Sequence, residues 1–103
     1  MNIKKYLKSR KKYSLEEMEE LDIGDYFIVY DNQYKSLYLE KIIPDYNINR
    51  NGNRRIYSIT IKEISNESKY SLREGDEGYW NLDDKIYIEY YKISKEEVFA
   101  ELL

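Results

Sequence analysis

The sequence predicts a small α+β fold: an antiparallel sheet of four or five strands, or a half-open barrel of SH3-like or PUA-like size, with N-terminal helices and a C-terminal helix. Three observations carry that expectation. Helical spacing behind capping boxes occupies the two ends of the 103-residue chain, period-two alternation fills its middle, and turn chemistry separates the alternating runs. A chain of this length is expected to form a single domain around one modest core. Within it, residues 1–23 read as a helical segment, 25–93 as the sheet and 94–103 as the last helix.

Each element has its own signal. Ile3, Tyr6, Leu7 and Arg10 suit a first, basic helix. Ser14-Leu15-Glu16-Glu17 is a capping box, in which a hydroxyl and a carboxylate satisfy the free amides at a helix start. Leu15, Met18 and Leu21 then recur on one face, the acids near the start favour the positive end of the helix dipole, and Gly24 is placed to end the helix. From Asp25 the period changes. Tyr26 to Asp31 is aromatic and β-branched, Asp31-Asn32-Gln33 is a turn, and a second strand returns from about Ser36 to Ile43 before Pro44-Asp45 breaks it. Asn51-Gly52 is a strong hairpin signal, since both residues tolerate positive φ. After it Arg55 to Ile64 alternates Tyr57, Ile59 and Ile61 against Ser58, Thr60 and Lys62, as a half-buried strand does. Asn66-Glu67-Ser68 is a turn, Tyr70 to Leu72 reads as a short fourth strand, and Arg73 to Asp84 as a loop around Trp80. Lys85 to Ile93 sets Ile86, Ile88 and Tyr90 against Tyr87, Glu89 and Tyr91. A second capping box, Ser94-Lys95-Glu96-Glu97, opens the last helix. The expected core is Phe27, Val29, Leu37, Leu39, Ile59, Ile61, Ile86 and Ile88.

Composition excludes several chemistries. With no Cys and no His there is no disulfide, thiol nucleophile, His-based triad or His/Cys metal site. The four glycines form no phosphate-cradling pattern, so a P-loop is excluded and neither cofactor nor metal is expected. No run approaches the roughly 18 apolar residues of a membrane span. The N-terminus shows no apolar signal core, so a cytoplasmic location without membrane contact is expected. Net charge is −3, with +6 over residues 1–13 cancelled by −6 over residues 14–25. Thirteen Tyr accompany 13 Ile, 12 Lys and 8 Asn, an excess typical of AT-rich coding and larger in aromatic rings than so small a core requires.

Recognition surfaces are therefore the first candidates for function. Tyr30, Tyr34, Tyr38, Tyr87 and Tyr91 are expected to line one exposed sheet surface, where Tyr gives large contact area at low entropic cost. Glu16, Glu19 and Glu20 on the acidic helix would steer or dock a basic partner, as a local mimic of nucleic acid. The leading expectation is a small non-enzymatic interaction protein that binds and blocks a surface of a larger protein or nucleoprotein complex. Its size and composition match in style the accessory proteins of phages and mobile elements, inhibitors of host defence nucleases included. A second expectation is a small RNA- or DNA-binding barrel using Arg50, Arg54, Arg55 and Asn51 at the hairpin tip, although a sequence pI near 5.1 argues against it. A third places a carboxylate-based enzyme or small-ligand binder at the Trp80 loop, where Asp76, Glu77, Asp83 and Asp84 gather.

Overall fold

The computed structural model describes residues 1–44, 54–69 and 72–103. Its elements are α1 (Ile3–Lys8), α2 (Leu15–Glu19), β1 (Tyr26–Asp31), β2 (Ser36–Ile42), β3 (Arg55–Asn66), β4 (Glu77–Asn81), β5 (Ile88–Tyr91) and α3 (Lys95–Leu102). The five strands form one antiparallel sheet in the order β4-β3-β2-β1-β5, curled into a half-barrel. This is the α+β fold the sequence predicts, with helices at both ends of the chain. Both capping boxes form: Ser14 Oγ accepts from the Glu17 amide at 3.1 Å, and Ser94 Oγ from the Glu97 amide at 3.2 Å.

Both faces of the central strands are buried, which splits the expected single core in two. Register pairs Phe27 with Glu40 and Val29 with Tyr38, so Leu37 and Leu39 face the opposite side from Phe27 and Val29. Ile28, Tyr30, Leu37, Leu39 and Tyr91 form one cluster with Ile3 and Leu7 of α1 and Val98 of α3. Phe27, Val29, Tyr38, Ile42, Ile56 and Tyr90 form the other with Met18 of α2 and Leu82. The helices thus close both sides of a sheet that alternation alone would leave wet on one face.

Three other expectations change. Ile86 is 78% exposed, because β5 begins only at Ile88 and the chain before it is a turn in which Asp84 Oδ1 accepts from the Ile86 and Tyr87 amides. Ile59 and Ile61 are half-buried, whereas Ser58 and Thr60 are buried at 1% exposure. The loop expected over Arg73–Asp84 contains a strand, β4, which pairs with β3 from Arg55↔Asn81 to Ile59↔Glu77. Alternation could not reveal it, since only five residues pair and one is Gly78. Asn51-Gly52, Arg50 and the first two residues of the expected strand at Tyr70–Leu72 lie outside the described residues; Leu72 belongs to no strand.

Candidate ligand pocket

The most unusual residue of the sheet is Glu40. It sits near the middle of β2, between Phe27 of β1 and Thr60 of β3, and it is only 1% exposed. The same alternation that buries Tyr38 and Ile42 turns this carboxylate to the face they share. A carboxylate in that position must be compensated or it raises the free energy of the folded state. Compensation is one-sided. Ser58 Oγ donates to Glu40 Oε1 at 2.8 Å, and the Trp80 indole N–H is shared between Glu40 Oε1 at 3.3 Å and Ser58 Oγ at 3.1 Å. Oε2 is buried with no hydrogen-bond partner. Burial pushes the Glu40 carboxyl above the usual carboxylate range, and the negative charge of Asp76 adds to that push. The Thr60, Ser58 and Trp80 side chains oppose it.

β3 supplies the hydroxyls because its pairing with β2 is irregular. Register shifts lie between Leu37/Tyr38 and between Leu39/Glu40, so Ile64 and Ile61 are left unpaired and pack toward the opposite cluster. Below the shifts Ser58 and Thr60 face Glu40. β4 brings Trp80, whose ring lies 6.4 Å from that of Tyr38 at an interplanar angle of 37°. The loop before β4 is tied to β3 through Gly75, at φ 89°, whose amide donates to Thr60 O at 2.7 Å, and through Asp76 O, which accepts from Thr60 N at 2.9 Å. That tie fixes Asp76 beside the carboxylate.

These residues line a cavity of about 320 Å³ that also touches Asp31, Tyr34, Ser36, Leu72 and, on β4, Glu77, Gly78 and Tyr79. A volume near the lower end of the ligand-pocket range, with a few polar groups converging among aromatic walls, is the physical profile of a binding site. A buried titratable group pushed up by desolvation inside it strengthens the case. The site's carboxylates hold their loops as well: Asp31 Oδ1 accepts from the Gln33 amide at 2.9 Å, and Asp76 Oδ2 from the Arg73 amide at 2.9 Å.

The sequence-derived candidates are distributed differently. Tyr30, Tyr38 and Tyr91 are buried, at 9%, 3% and 9% exposure, so the expected row of five exposed rings reduces to Tyr34 and Tyr87. The physical reason is the covering of both sheet faces, which makes inward positions of Tyr30 and Tyr91 as well as of Tyr38. Tyr38 nevertheless lines the cavity, and its hydroxyl accepts from the Leu72 amide at 3.1 Å. Glu16, Glu19 and Glu20 are all exposed, and Glu19 pairs with Arg54, the residue before β3. Arg55 stacks its guanidinium 4.3 Å over the Tyr79 ring. Arg54 and Arg55 are thus engaged within the fold, and Arg50 and Asn51 lie outside the described residues. Of the acids around Trp80, Asp76 and Glu77 line the cavity; Asp83 and Asp84 serve the turn beyond β4, Asp83 by accepting from the Arg54 amide at 3.4 Å.

No protein-family model matches the chain, and no curated protein and no solved structure shows a significant match to it. Among the described residues no helix is long and apolar enough to cross a membrane.

Proposed function

We propose that the protein is a binding module that seats a hydrogen-bond-donating group of its ligand on Glu40 in the cavity between β2, β3 and β4. One observation carries this reading: a fully buried carboxylate lines the cavity with one oxygen held by Ser58 and Trp80 and the other without a partner. Such an arrangement costs folding free energy, on the order of 1–3 kcal/mol for an unsatisfied buried polar atom. A ligand donor at Oε2 recovers it. The reading keeps the sequence's expectation of a non-enzymatic interaction protein and moves the anchor from an exposed Tyr surface to a pocket. The exposed acids Glu16 and Glu20 lie on the surface that a partner carrying the inserted group would meet.

The test uses the chain's own reporter. Trp80 is the single tryptophan, so its indole N–H correlation in ¹H–¹⁵N spectra reports on this cavity alone. Screening a fragment library of neutral, cationic and anionic donors is expected to yield compounds that shift the Trp80 indole signal and lose that effect in Glu40→Gln. A library that moves exposed amides while leaving Trp80 unmoved would reject the pocket.

A further inference from the structure

We propose that the Glu40 cavity is a site for a primary aliphatic ammonium group, whether of a free alkylamine or of a lysine side chain on a partner. The proposal rests on the pocket reading and adds the class of ligand.

Four observations select an ammonium. The cavity lining includes Asp31, Glu40, Asp76 and Glu77, and among the described residues that line it there is no Lys or Arg. An anionic ligand would meet carboxylates with nothing to offset them. Second, the orphan atom is an acceptor: Oε2 of a residue 1% exposed has no hydrogen-bond partner, Ser58 and Trp80 both donate to Oε1, and the Thr60 hydroxyl that faces the carboxylate makes no hydrogen bond to Oε2. Third, this occupancy distinguishes between cations. A guanidinium binds best as a fork on both carboxylate oxygens, and Oε1 already accepts two hydrogen bonds, whereas an ammonium acts as a compact single-point donor. Fourth, Tyr38 and Trp80 lie side by side at the same cavity, where ring faces attract a desolvated cation and the aliphatic stem gains apolar contact. A metal ion is the competing cation. Among the described residues no three carboxylates gather closely enough to hold one.

The experiment titrates the full chain with n-butylammonium chloride, n-butanol and sodium butyrate at matched ionic strength, reading Trp80 fluorescence. The proposal expects a saturable response to n-butylammonium, none to n-butanol or butyrate, and affinity at least ten-fold weaker in Glu40→Gln, with circular dichroism confirming that the variant is folded. A lysine-containing tetrapeptide compared with its norleucine counterpart separates the sources: binding tighter than n-butylammonium assigns a partner's lysine, and equal binding assigns a free amine. An n-butanol response equal to that of n-butylammonium, a preference for butyrate, or undiminished n-butylammonium binding by Glu40→Gln overturns the ammonium assignment. Silence toward n-butylammonium also overturns it; the pocket reading falls as well only if the fragment screen leaves Trp80 unmoved.

Discussion

Replacing Glu40 by Gln should make the unliganded protein more stable at neutral pH while weakening its binding. In the native chain the carboxylate is buried, its Oε2 has no donor, and Asp76 repels its charge. An unsatisfied buried polar atom costs roughly 1–3 kcal/mol, more when charged. The amide keeps an acceptor for Ser58 and Trp80 and carries no charge for burial and Asp76 to penalise. The gain at pH 7 is therefore expected to be about 1–3 kcal/mol, or roughly 4–8 °C in Tm for each kcal/mol in a domain of this size. The sign with pH follows from linkage. Because the folded-state carboxyl lies above its unfolded value, folded Glu40 holds its proton where the unfolded chain releases it. The native chain's stability relative to the variant is greatest below the unfolded value, near pH ~4, and is lost as pH rises through the folded value. Urea unfolding from pH 4 to 8, followed by circular dichroism, checks this. Parallel pH profiles for the two proteins, or a less stable Glu40→Gln at pH 7, would refute the reasoning.

Three further outcomes follow from the packing. Tyr90→Phe should be neutral or stabilising by up to about 1 kcal/mol in chemical denaturation, since the Tyr90 hydroxyl is buried without a partner while its ring packs edge-on against Phe27 at 5.9 Å. Tyr91→Ala should cost about 3 kcal/mol or more and Tyr87→Ala less than about 0.5, because only the first ring is buried; equal effects in thermal melts would place β5 wrongly. Ser14→Ala and Ser94→Ala should each cost about 1 kcal/mol and speed amide exchange in the first turn of α2 and α3 respectively, through loss of the capping hydroxyl.

Much of this architecture was legible from local chemistry. Ser14-Leu15-Glu16-Glu17 and Ser94-Lys95-Glu96-Glu97 fix their helices through short-range hydrogen bonds, and the aromatic and β-branched run at β1 and the Asp31 turn define the first hairpin. What local pattern could not supply was the number of covered faces. Tyr30 and Tyr91 look like outward positions until α1 and α3 are laid over them, and Leu37 and Leu39 look like partners of Phe27 until the register places them opposite. The pocket was missed for the same reason. Glu40 shares its face with Tyr38 and Ile42, a visible signal of an inward charge, yet its partners Ser58 and Trp80 lie 18 and 40 residues away and meet it only through the irregular β2–β3 pairing and the short strand β4. The loop expected around Trp80 contributes Asp76, Glu77 and Trp80 to the cavity; the carboxylate at its centre comes from β2.

The most direct test of the central claim is a ¹³C NMR titration of the Glu40 side-chain carboxyl, recorded with and without saturating n-butylammonium. Glu40 is expected to titrate above the ordinary glutamate range in the free protein, and a bound ammonium at Oε2 is expected to favour the ionised form and bring the midpoint down. An ordinary midpoint in the free protein, unmoved by the amine, would contradict both the buried carboxylate and the pocket built on it.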